Sequence, residues 1–211
     1  DPPYFIDGLE NDWNIKRLAT KQKQANIIGG LPVGMKFDPM QGQRLSEFFS
    51  IVSLQLMRVL VPGGFFLSFS QPRLVHHIMM SAERAGFEIR DLLAWHYTTK
   101  AQSKAFSQNH FVEKLSLSKT RKEQIIQELQ GRKTPQLRPQ FEPIMLAQKP
   151  KDGTFVQNWL QWHTGLIDVK SPLNGKFPST VMSVEKERKD AFNHHLTVKP
   201  IILLKHLIEV F

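Results

Sequence analysis

Apolar residues along this chain follow two rhythms. From about residue 40 to 60, Leu45, Phe48, Phe49, Val52, Leu56 and Val59 recur at helical spacing and predict an amphipathic helix. Pro62-Gly63-Gly64 ends that helix and turns the chain. Phe65-Phe66-Leu67-Ser68-Phe69 then has the unbroken apolar character of a buried strand. Residues 72 to 85 return to helical spacing and stop at Gly86, and Phe87 to Thr98 is a second strand rich in apolar and aromatic residues. Pro143 to Lys149 is a further strand-like run. Helix, turn, buried strand, helix and strand in this order predict an α/β fold, a sheet with crossover helices.

Less regular segments lie between these elements. Residues 5 to 38 are polar and irregular, with Gly29-Gly30 and Pro32, and a loop of that length is usually functional or mobile. Residues 100 to 140 carry Lys100, Lys104, Lys114, Lys119, Arg121, Lys122, Arg132, Lys133 and Arg138. A short helix is expected inside them, opened by the capping-box spacing of Thr120 and Glu123 and closed by Gly131. This basic insertion is either a solvated surface or a segment that neutralises nucleic-acid phosphates. In the irregular stretch from 152 to 183, Phe155, Val156, Trp159 and Leu160 suit one amphipathic helix ended by Gly165, with Trp159 and Trp162 read as core anchors before base-stacking platforms. Pro200 suits a first helical turn, and Ile201, Leu204, Leu207 and Ile208 are the expected apolar face of the helix it opens.

Composition narrows the chemistry. With 211 residues and 41% apolar content the chain fits one domain with a small insertion, and no apolar run is long enough to span a membrane. Its 28 Lys and Arg against 19 Asp and Glu leave a net charge of +9, which suits a polyanion partner or ordinary solubility charge. The absence of cysteine excludes disulfides, thiolate metal sites and thiol nucleophiles. It also excludes the Cys attack that methylation of a cytosine ring carbon normally needs. Eight histidines form no compact metal motif, so no metal is expected, and no nucleophile elbow or P-loop is present.

Chemistry concentrates in Asp1-Pro2-Pro3-Tyr4. The amine of adenine or cytosine is a poor nucleophile because its lone pair is delocalised into the ring. Two acceptors on its N–H groups localise that pair, and the Asp1 carboxylate and the Pro2 carbonyl can supply them. Pro2 and Pro3 have fixed φ and no N–H, so the turn is stiff. Tyr4 can stack on the base once it leaves the duplex. A second segment, His195-Leu196-Thr197-Val198-Lys199-Pro200, places His195, Thr197 and Lys199 just before a Pro-initiated helix. That is a natural carboxylate site, and equally an ordinary loop with a helix cap.

Together and in this order, the two segments resemble the amino-methylating DNA methyltransferases, in the permuted class whose catalytic motif comes first. Leu60-Val61-Pro62-Gly63-Gly64-Phe65 is similar to the turn entering the family's fifth sheet strand, and Leu92-Leu93-Ala94-Trp95 to the strand after the next helix. Arg132 to Pro139 and Phe141 to Pro150 are similar to a segment of phage and prophage members. The resemblance implies a Rossmann-like methyltransferase sheet with flanking helices and an inserted target-recognition region at about 151 to 183. It implies S-adenosylmethionine as methyl donor, double-stranded DNA as partner, no membrane, and a cytoplasmic setting in a bacterium or phage-infected cell. Asp1, Pro2, Pro3 and Tyr4 would be catalytic, and His195, Thr197 and Lys199 would lie beside the cofactor. Lys104, Arg121, Lys122, Arg132, Lys133 and Arg138 would face DNA. Adenine N6 is the favoured target, with cytosine N4 and an inactive DNA-binding relic as alternatives. The family's Phe-x-Gly-x-Gly cofactor loop, expected after Phe211, occurs nowhere in the chain, and the strand leading into Asp1 is missing, so the domain is expected to be incomplete at both ends.

Overall fold

The computed structural model describes residues 1–2, 38–98, 105–170, 177–187 and 198–211. Its described elements are α1 (Gln41–Val59), β1 (Phe65–Phe69), α2 (Val75–Arg84), β2 (Glu88–Tyr97), α3 (Asn109–Glu113), α4 (Lys119–Glu128), β3 (Phe141–Gln148), α5 (Phe155–Trp162), β4 (Val181–Val184) and α6 (Ile201–Val210). The strands form one sheet in the order β1-β3-β2-β4. β3 runs antiparallel to both its neighbours, Phe69 opposite Ile144 and Trp95 opposite Glu142, while β4 runs parallel to β2. The mixed α/β fold expected from the apolar rhythm is therefore present. No described helix is long and apolar enough to cross a membrane.

Side chains alternate across the sheet, so β1, β2 and β3 each feed two cores. On one face, Met145 and Ala147 of β3 pack with Leu45 and Phe49 of α1, Ile78 and Ala82 of α2, and Phe87. On the other, Ile144 and Leu146 pack with Phe69, Leu93, Trp95, Met182 and Val184 and with Leu203 and Leu207 of α6. β4 was not foreseen within the irregular stretch, although its buried Met182 and Val184 alternate with exposed neighbours.

Three local expectations need correction. The cap of α4 is Ser118, whose hydroxyl accepts from the Arg121 N–H, and not Thr120. Ser118 is extended and so takes the half-in position that Thr120, already helical, cannot. On α6 the buried positions are Leu203, His206, Leu207 and Val210, while Ile201 and Ile208 are 71% and 79% exposed. Lys199 and Pro200, just before the helix, are buried with that face. On α5, Trp159 lies at the surface with Phe155, Val156 and Leu160 and is no core anchor.

A polar side chain turns α5 that way. Fully buried Asn158 donates to the carbonyls of Pro62 (3.1 Å) and Thr164 (2.9 Å) and accepts from the Asp152 N–H (2.8 Å). Gln148 adds donations to the carbonyls of Gly63 (2.8 Å) and Gly165 (3.1 Å). Glycine is required at 63 and 165, since both have positive φ and an added Cβ would fall 2.4 Å and 3.0 Å from the Asn158 Nδ2. Asn158→Ala removes three hydrogen bonds to part-buried backbone groups, and a loss of about 2 kcal/mol is expected in urea unfolding. A change below about 0.5 kcal/mol would show that this network does not hold α5 to the turn.

Candidate active site

The C-terminal ends of β1, β2 and β4 meet the N-terminal end of β3 on one edge of the sheet. In α/β folds the carboxyl ends of parallel strands are where ligands bind. At this edge three side chains from distant parts of the chain converge. Lys199, just before α6, is only 8% exposed. Its ammonium lies 3.3 Å from the Asp1 carboxylate and forms a short ion pair with Glu142. It also lies over the Phe69 ring, 4.8 Å from the centroid, and 5.8 Å from that of Trp95.

Each partner is held by the fold. Glu142 sits two positions before Ile144 on β3, so the strand period turns it to the α6 face, opposite Trp95. The Trp95 indole N–H donates to the Val184 carbonyl (2.9 Å), fixing the ring. The Tyr97 hydroxyl donates to the second Glu142 oxygen at 3.3 Å. Burial, then the nearby Glu142 charge and that hydrogen bond, push the Tyr97 phenol far up, so it stays a donor. Lys186, itself exposed, stacks on the outer side of Tyr97, 3.8 Å from the ring centroid.

The structure thus joins two of the sequence-predicted site segments, through Asp1 and Lys199. Pro2 lies half-buried beside Asp1, whereas Pro3, Tyr4, His195 and Thr197 fall outside the described residues. Glu142, Phe69, Trp95 and Tyr97 were not picked out by sequence reasoning. The only signal for Glu142 was an acid one residue before a proline, at the mouth of an apolar strand.

The basic candidates separate. Lys104 is outside the described residues. Arg121 is occupied along its own helix, 3.3 Å from Glu128 and from Gln124. Lys122 donates to the Glu113 carbonyl at 2.6 Å and ties α4 to the end of α3. Arg132, Lys133 and Arg138 are exposed on the approach to β3, which delivers Glu142 to the site. No cluster of metal-ligating side chains occurs among the described residues.

Comparison with known proteins places these features in context. Residues 1–211 match a family described as DNA methylase, of the N6/N4 type. The type II methyltransferase M.HindIII of Haemophilus influenzae is 26% identical over 233 residues, covering 100% of this chain and 72% of its own length. The solved M1.HpyAVI–SAM complex aligns with a TM-score of 0.44 and 12% identity, over 80% of this chain. The chain spans 59% of that structure's chain.

Proposed function

The chain belongs to the DNA methylase family, and from that premise we propose that it methylates the exocyclic amine of a base in double-stranded DNA, with adenine N6 as the target. One observation carries the reading: Asp1 of the Asp-Pro-Pro-Tyr motif is held by Lys199 of the second motif, at the ligand-binding edge of the sheet. A plain proline-rich turn has no need of a buried ammonium from the other end of the chain.

The base must leave the duplex to reach this edge. The Asp1 carboxylate and the Pro2 carbonyl then accept from the amine's N–H groups and localise its lone pair. Lys199 limits where the Asp1 oxygens can point. Asp1 also stabilises the positive charge that the nitrogen carries once methylated, before its extra proton leaves to solvent. Tyr4 stacks on the base, and Pro3 stiffens the turn.

S-adenosylmethionine is the methyl donor of this reading. Of the described residues, Asp1 and Glu142 are engaged by the Lys199 ammonium, while the aromatic rings of Phe69 and Trp95 at this edge suit a cationic donor. When bound, it supplies a methyl on a sulfonium sulfur that keeps the bonding electrons and departs as a neutral thioether. His195, Thr197 and Lys199 would lie beside it. Arg132, Lys133 and Arg138 would meet DNA phosphates, as would Lys104, Arg121 and Lys122 of the same basic insertion. The region from 151 to 183 would read the target sequence, and the enzyme would work in the cytoplasm, where the DNA of a bacterium or its phage lies.

The test uses the full-length protein, DNA and S-adenosylmethionine labelled on its methyl group, with the DNA digested to nucleosides. Label on N6-methyladenine is expected. Label on N4-methylcytosine would keep the mechanism and change the base. No label with DNA still bound would replace the enzyme by a DNA-binding module.

A further inference from the structure

Leu137 is 90% exposed, more than any other large apolar side chain among the described residues. A single exposed leucine needs no special explanation. The setting of this one is unusual. Pro135 and Pro139 fix φ on either side of it, and each confines the residue before it to extended backbone. Thr134 anchors one end of the loop: its N–H donates to the Phe106 carbonyl and its hydroxyl accepts from the Phe106 N–H, both at 3.1 Å. Gln140 anchors the other end, its carbonyl accepting from the Tyr97 N–H at 2.8 Å. Exposed Arg138 adjoins Leu137, and exposed Arg132 and Lys133 stand just before the loop. The loop runs into β3 at the sheet edge where Asp1, Lys199 and Glu142 meet. Its chain from Leu137 to Glu142 spans no more than about 18 Å even when extended.

Methyl transfer at this edge requires one base to leave the duplex, which breaks its pairing and stacking. The gap it leaves is walled by the apolar faces of the neighbouring bases. Cations beside the loop suit the phosphates around that gap. An aliphatic side chain held among them can enter it and take up stacking contact that the base has given up. We propose that Leu137 is a wedge that enters the base stack of double-stranded DNA and fills the place of the extruded base, so that the base stays out and reaches Asp1. This rests on the reading of the chain as a methyltransferase of an extruded base. Leucine offers no hydrogen bond to a base edge, so the wedge favours extrusion without reading sequence.

The test uses the full-length protein. Plasmid DNA methylated by the wild type is sequenced for its modified base, which locates the target. Two short duplexes carrying that target are then compared, one fully paired and one with no base opposite the target. In the second the target is unpaired, so its extrusion costs less. Leu137→Ala is expected to lower kcat/KM about 10- to 100-fold on the paired duplex and no more than about threefold on the other. Leu137→Met keeps a long apolar side chain and should retain most of the wild-type rate on both. An exposed position leaves folding untouched, which thermal melting checks. Rates of Leu137→Ala that fall equally on both duplexes, or that match the wild type on both, overturn the inference while the methyl-transfer reading stands. A wild-type protein that transfers no label overturns both.

Discussion

Asp1→Ala is expected to lower the rate of methyl transfer to DNA at least about 1,000-fold while changing DNA affinity by no more than about threefold. The substitution removes an acceptor for the amine and the charge that stabilises the methylated nitrogen, and no other described carboxylate can replace it. Glu142 is the nearest in function, but its oxygens are engaged by Lys199 and Tyr97. DNA affinity should persist, because phosphate contacts come from cations elsewhere, with exposed Arg132, Lys133 and Arg138 as the candidates. Label incorporation measures the first quantity and fluorescence anisotropy with a duplex measures the second. Equal loss of both would show that Asp1 holds the structure together and does no chemistry.

Lys199→Met is expected to destabilise the protein by about 3–5 kcal/mol. The methionine fills similar space and keeps contact with Phe69 and Trp95, so the loss is electrostatic. Glu142 is then left largely buried without its ammonium, facing a second carboxylate at Asp1. Breaking a buried pair from one side costs far more than removing both members. Lys199→Met with Glu142→Gln should therefore recover most of the stability, apart from the loss of the bond to Asp1. Urea unfolding of the wild type, both single variants and the double variant gives the coupling directly. Additive effects would mean that Lys199 and Glu142 do not share an environment in solution.

Much of this architecture was legible in the chain. Helices α1 and α2, strands β1, β2 and β3 and the Pro-Gly-Gly turn all fall where the apolar rhythm predicted them. Errors arose where a local pattern could be satisfied in more than one way. Ile201, Leu204, Leu207 and Ile208 make a plausible apolar face, yet a face built on Leu203, Leu207 and Val210 is the one that docks. Both faces contain enough aliphatic residues, and the one that docks is the one whose Leu203 and Leu207 meet the sheet, with Lys199 and Pro200 buried just before the helix. Trp159 looked like a core anchor, but the inward position of α5 is taken by Asn158, whose three hydrogen bonds outweigh the preference of one indole for burial.

The sequence by itself determined the alternation of elements and named two chemically loaded segments, because periodicity and motif are properties of neighbouring residues. It pointed to Asp1 as an acceptor and to Lys199 as a cation at a helix start. Only the tertiary structure decided that these two side chains touch, and that Glu142 completes them. Contacts of that kind depend on strand register and helix rotation: shifting β3 by one residue would send Glu142 to the opposite face of the sheet. Nothing local to Phe141-Glu142-Pro143 specifies that register. It is set by the packing of Ile144 and Leu146 against α6 on one side and of Met145 and Ala147 against α1 and α2 on the other.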